Sequence, residues 1–180
     1  MGNDFNVNSS IAISRLGAFD DLGNGIIGTI NVHIFDLSNT ASPLASVAIS
    51  GSGDPLVGEF RYANITPLVL GPGSYSVVAF GFGADDNANE NVADIPLTTN
   101  DGGGLISFVN SRFGNGDPTV TFPTSLTVGN FSCSSSATAC FGTGSFEYAA
   151  SAVPLPAALP LFATALAGLG FMTRRRRHAA

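Results

Sequence analysis

Thr29-Ile-Asn-Val-His-Ile-Phe-Asp36 decides the fold class. Ile30, Val32 and Ile34 alternate with Thr29, Asn31, His33 and Phe35. Successive side chains of a strand point to opposite faces, so a period of two with one polar face reads as an antiparallel strand over a core. His33 is placed by this phase on the polar face, as an ordinary strand residue.

The same pattern recurs outward from this octet. Tyr75, Val77 and Ala79 oppose Ser76, Val78 and Phe80, and Ile11 and Ile13 share a face onto which strict alternation also carries Arg15. Short β-branched or aromatic runs predict strands at 5–7, 11–18, 29–36, 44–50, 57–62, 66–69, 74–82, 105–109, 119–121, 125–128 and 142–149. Turn signals separate them: Asp20-Asp-Leu-Gly-Asn-Gly25, Ser50-Gly-Ser-Gly-Asp-Pro55, Gly71-Pro-Gly73, Asp101-Gly-Gly-Gly104 and Gly114-Asn-Gly-Asp-Pro118. No segment before residue 153 carries a sustained helical stripe with caps. The expectation is an all-β domain over residues 1–150, a β-sandwich, of which a jelly roll is one form.

The order Leu16-Gly-Ala-Phe-Asp20, Val32-His-Ile-Phe-Asp36, Pro43-Leu-Ala-Ser46, Phe60-Arg-Tyr62, Ile65-Thr-Pro-Leu68 and Leu70 to Tyr75 resembles a β-sandwich domain recurrent in bacterial surface proteins. The resemblance spans roughly residues 3–110 and implies no biochemical activity.

The chain changes character after Ala152. Val153-Pro-Leu-Pro-Ala157 is followed by an apolar run, 158–173, and then Arg174-Arg-Arg-Arg177. No charge lies between Val153 and Thr173, and those 21 residues would span roughly 30 Å as a helix, about the hydrocarbon thickness of a bilayer. The four arginines act as a membrane stop and stay cytoplasmic by the positive-inside rule, which puts the β-domain across the membrane. Pro154, Pro156 and Pro160 keep the outer edge of the span extended.

This order resembles the PEP-CTERM class of C-terminal sorting signals of Gram-negative bacteria, in its VPLPA variant. Val153, Pro154, Leu155, Pro156 and Ala157 match the motif. Leu159-Pro-Leu-Phe162, Leu166-Ala-Gly-Leu169 and Arg174, Arg175, Arg176 and Arg177 match the rest. The resemblance implies recognition and processing by an exosortase, a membrane-embedded cysteine-transpeptidase-like enzyme. It also implies export to the cell envelope, outer surface or extracellular matrix, in association with exopolysaccharide. The organisation expected is an exported domain (1–150), a linker and sorting motif (151–157), a single transmembrane helix (158–173) and an Arg-rich cytoplasmic tail (174–180).

Composition narrows the partners. The chain has no Lys and no Trp, and up to residue 150 it carries three Arg against all thirteen acids, a balance of 3 − 13 = −10. Nucleic acid is excluded as an expected partner, because phosphate binding needs cationic side chains. Cys133 and Cys140 lie on the exported side, where disulfides persist, and are expected to bridge around the Ser-rich stretch between them. A zinc site is a poorer reading, with no His nearby and no second Cys pair. The opening Met1-Gly-Asn-Asp-Phe-Asn-Val7 contains no leader and already reads as strand from Phe5, so a signal peptide upstream of Met1 is the expectation.

Catalytic chemistry finds little support. His33 is the only histidine before the tail, and no nucleophile motif such as Gly-x-Ser-x-Gly occurs. Asp20, Asp21, Asp36, Glu59 and Glu90 are carboxylates from which no spacing selects a glycosidase pair. Asp85, Asn87 and Asn89 alternate oxygen side chains as calcium loops do, but Glu90 and Pro96 stand where an EF-hand needs Gly and Glu. A solvated hairpin tip is the plainer reading there, and Asp20, Asp21 and Asn24 form a weaker analogue. Tyr62, Tyr75 and Tyr148 are the tyrosines that could stack on a sugar ring. The expectation is a non-enzymatic exported surface or matrix protein without a cofactor. The alternative is a membrane-anchored module binding glycan or calcium.

Overall fold

The computed structural model describes residues 1–83, 99–114, 122–123, 125–126 and 142–151. These residues are all-β, in two antiparallel sheets, as the alternation predicts. The strands are β1 (Gly2–Val7), β2 (Ile11–Phe19), β3 (Ile26–Asp36), β4 (Ala45–Gly51), β5 (Leu56–Val57), β6 (Phe60–Leu70), β7 (Gly73–Phe80), β8 (Ile106–Phe113), β9 (Ser125–Leu126) and β10 (Gly144–Ala150). The larger sheet has the order β4-β3-β7-β1-β8-β9, and the smaller one β10-β2-β6-β5.

The sheets face each other across one apolar core. Ile30, Val32 and Ile34 of β3, Val77 and Ala79 of β7 and Phe5 of β1 meet Ile11, Ile13, Leu16 and Ala18 of β2 and Phe146 of β10. Burying a side chain of this size contributes about 1.5–3 kcal/mol. The larger sheet outreaches the smaller. β10, the last strand of the smaller sheet, packs over β7 and sets Phe146 against Phe5 of β1 with ring centroids 4.7 Å apart. β8 and β9 lie beyond it in the larger sheet.

Three local readings are corrected. Arg15 does not share the face of Ile11 and Ile13. The register slips between Ile13 and Arg15 against both neighbouring strands. This bulge moves the inward phase to Leu16 and Ala18 and turns Arg15 to the outer face. Val57 belongs to β5 and is followed by a turn at 58–59, while residues 60–62 and the predicted strand 66–69 lie in one continuous strand, β6. Pro67 lacks an N–H but does not break it, because it lies where the register slips and where β5 no longer flanks β6.

The third correction concerns His33. The alternation of β3 is as read, but the face carrying His33 is not solvated. Phe35 is 0% exposed and His33 5%, and Ser76 and Val78 on the adjacent strand are also buried. Phe80 and Phe35 flank the imidazole, with ring centroids 5.4 and 5.9 Å away. Phe122 covers Phe35 edge-on at 5.1 Å. The central strands of the larger sheet are therefore buried on both sides. Among the described residues neither imidazole nitrogen has a hydrogen-bond partner, and burial pushes the His33 pKa below its ordinary value.

Candidate functional site

The candidate sorting motif Val153–Ala157, the apolar run 158–173, the arginines 174–177, the cysteines Cys133 and Cys140 and the calcium candidates Asp85, Asn87 and Asn89 all lie outside the described residues. The described chain does define where the motif leaves the domain. β10 runs antiparallel to β2 and brings Ala150 opposite Ile11. Ser151 N–H then donates to the Ser10 carbonyl at 2.8 Å. The first motif residue is thus two positions past a pinned backbone. The exit pole holds Ser10 and Ile11, while the opposite end of β2 leads into the Asp20 loop.

Each of the three domain arginines is held by an acid. Arg61 donates through Nε to Asp20 at 2.5 Å, with both side chains buried. Arg112 donates through Nε to Asp4 at 2.6 Å on the outer face of the larger sheet, beneath the Phe122 ring. Arg15 grips Glu147 through Nε and Nη2 at 2.5–2.8 Å and lies over the Tyr62 ring. This last pair is partly exposed, so its Coulomb attraction is screened by water.

These pairings dispose of several carboxylates that the sequence left open. Asp20 cannot act as an open cation ligand, because its oxygens accept from Arg61 and from Gly25 N–H. Asp21 sits beside it in a 3₁₀ turn whose next residue, Leu22, has φ of 62°. Asp36 accepts from the Ser38 hydroxyl and N–H, both at 2.7 Å, which hold its carboxyl below the usual range. Among the described residues no group of three His, Cys, Asp or Glu side chains could hold a metal ion.

The mismatch between the sheets builds a cleft that no sequence pattern announces. It has a volume of about 480 Å³ and follows the chain from Gly142, just before β10, to Tyr148 within it. The lining comes from both faces of that strand: Gly144, Phe146 and Tyr148 from one, Ser145 and Glu147 from the other. The cleft therefore wraps round the edge of β10 that faces away from β2. Asn3, Ile106 and Phe108 of the larger sheet form its floor, and Thr99 and Asn100 its rim.

Tyrosines set the geometry here. Tyr148 donates its hydroxyl to the Asn100 carbonyl at 2.8 Å, tying rim to strand. Burial, with the charge of Asp101 adding to it, raises the Tyr148 pKa. Tyr62 shares a hydrogen bond of 2.7 Å with Ser145 across the cleft wall, and burial raises its pKa as well. Its ring lies over Gly17, where a Cβ would come within 2.7 Å of Cε1, so this close approach requires glycine. Tyr75 is not at the cleft. It is buried beside Phe5, with its hydroxyl on the Gly71 carbonyl at 3.1 Å. Of the three tyrosines singled out from the sequence, Tyr62 and Tyr148 converge on one site, and no spacing between residues 62 and 148 signals it.

Comparison with protein-family models, with curated proteins and with solved structures finds no match to this chain.

Proposed function

We propose that the chain is a non-enzymatic, exported surface or extracellular-matrix protein, delivered by a C-terminal PEP-CTERM-type signal and processed by an exosortase. The observation that carries this reading is the uninterrupted order Val153-Pro-Leu-Pro-Ala157, apolar run, Arg174 to Arg177. In it, residues 158–173 form a single transmembrane helix, 174–180 a cytoplasmic tail, and exopolysaccharide is the surrounding material.

The fold supports the reading in two ways. The motif starts two residues past Ser151, whose N–H anchors the chain just beyond β10. Cleavage at the motif would thus release the sandwich with its core whole. Several of the described carboxylates also have structural work. Asp4, Asp20 and Glu147 each neutralise an arginine, and His33 sits among phenylalanines with no acid or nucleophile hydrogen-bonded to it. That arrangement favours a structural or binding role over catalysis.

Intact-mass analysis of the envelope form tests the proposal. A mature protein lacking residues 174–180 is expected, and one that retains them would sink it. Replacing Pro154 and Pro156 together by Ala should slow processing, because the helix could then extend into the recognition segment.

A further inference from the structure

The cleft along β10 lies outside the sorting signal, and its chemistry selects a ligand class. Within β10 the lining runs from Gly144 to Tyr148, four steps or roughly 13 Å at the rise of a β-strand, and Gly142 carries it on past the strand's start. A space of about 480 Å³ drawn out over that length suits a chain-like ligand better than a compact metabolite. Half-buried Phe60, Phe108 and Tyr148 supply aromatic surface along it. Between them stand the hydroxyl and amide groups of Thr99, Asn100 and Ser145. Apolar faces alternating with hydrogen-bonding groups match a sugar chain, whose rings present C–H faces and whose rims present hydroxyls.

Charge excludes the nearest competitors. Glu147 is the one charged residue among the described lining, and Arg15 neutralises it through contacts of 2.5–2.8 Å. Among the described residues an anionic polymer would find no unpaired arginine, since Arg61 and Arg112 are held by Asp20 and Asp4. Glu147 stays partly exposed and keeps carboxylate lone pairs that could accept from a sugar hydroxyl. We propose that this cleft is a binding site for a neutral oligosaccharide chain. The site belongs to the sandwich and does not depend on the processing of the tail, so its failure and the failure of the sorting reading are separable.

The test is titration calorimetry on the full chain, in a detergent without a sugar headgroup. The probes are maltohexaose, cellohexaose, laminarihexaose and mannohexaose, with hexagalacturonate as the anionic counterpart. Saturable binding of at least one neutral hexasaccharide is expected, with hexagalacturonate at least tenfold weaker. Phe60→Ala and Asn100→Ala should each weaken it at least fivefold. Val69→Ser, on an exposed site of β6 away from the cleft, should leave it unchanged. Melting followed by circular dichroism confirms that each variant is folded. Because Phe60 also packs on Phe19, the exposed Asn100 variant decides the matter if Phe60→Ala unfolds. Binding of none of the four neutral probes, preference for hexagalacturonate, or undiminished binding by folded Asn100→Ala would overturn the proposal.

Discussion

Arg61 Nε lies 2.5 Å from Asp20 Oδ2, with both side chains buried and the two residues 41 positions apart in sequence. The rest of the guanidinium is equally occupied. Nη1 donates to the carbonyls of Ser52 and Asp54 at 3.1 and 2.9 Å, and Nη2 to that of Gly23 at 3.0 Å. Asp20 in turn accepts from Gly25 N–H at 3.0 Å, and φ of 104° at residue 25 is a conformation suited to glycine. One ion pair thus ties the β2–β3 loop to the β4–β5 loop at the pole opposite the chain's exit.

Breaking that pair should be costly. Arg61→Met strands a buried carboxylate and frees three carbonyls, and the expected loss is about 3–5 kcal/mol. Asp20→Asn should fall in the same range, for the mirror reason. The double variant should lose clearly less than the sum, because each single variant already abolishes the shared contact. Urea denaturation followed by circular dichroism measures all three. Additive losses would contradict the pairing.

Leu22 presents the opposite case. Its φ is 62° and its side chain is 87% exposed, so the backbone is strained with little burial in return. Leu22→Asn should leave stability unchanged or raise it by about 0.5–1 kcal/mol, since Asn tolerates the left-handed region. Leu22→Val should lower it by about 1–2 kcal/mol, because a branched Cβ fits that region poorly. The order Asn, Leu, Val in denaturation midpoints is the outcome to look for.

His33 makes stability depend on mild acid. Its folded pKa is lowered from 6.5 by burial, so below about 6.5 the unfolded chain takes up a proton that the folded chain refuses. Stability is therefore full above that value and falls as the pH drops toward the lowered folded pKa, at up to about 1.4 kcal/mol per pH unit for one proton. His33→Leu removes this dependence and both unpaired nitrogens. It should gain about 1 kcal/mol at pH 7.5 and more at pH 5. The difference between wild type and variant across this range isolates the histidine from other titrating groups. A constant difference would refute the assignment.

Gly17 should resist even the smallest side chain. The Tyr62 ring occupies the space of its Cβ, and that ring is held by Ser145 and Arg15. Gly17→Ala is expected to cost about 1–3 kcal/mol by overpacking. In a Tyr62→Leu background the same change should cost much less, and equal costs in the two backgrounds would show that the contact is not responsible.

Much of the architecture is legible from residues 11–80. Ile30, Val32 and Ile34 read inward correctly, as do Tyr75, Val77 and Ala79, because local alternation is imposed by the backbone itself. Arg15 was misread because a bulge shifts the phase by one residue, and nothing in Ile13-Ser-Arg15 announces it. The predicted strands 57–62 and 66–69 leave a gap that β6 closes, since Ala63 and Asn64 are weak strand formers by themselves and are held by pairing with Leu16 and Arg15. Of the candidate site, Tyr62 and Tyr148 were visible as residues but not as neighbours of one cleft.

The sequence alone determined the all-β class, the turns at 20–25, 50–55, 71–73 and 101–104, the −10 balance of residues 1–150 and the tail's resemblance to a sorting signal. A period of two says that a strand has two faces. It does not say what lies over each. Tertiary structure alone decided that His33 is buried among Phe35 and Phe80 and that the two sheets differ in width. It alone paired Arg15 with Glu147, Arg61 with Asp20 and Arg112 with Asp4, and it left a cleft along β10. The physical reason is range. These partners stand 132, 41 and 108 residues apart, and such pairs are set by which strands meet in the sheets, not by any local propensity.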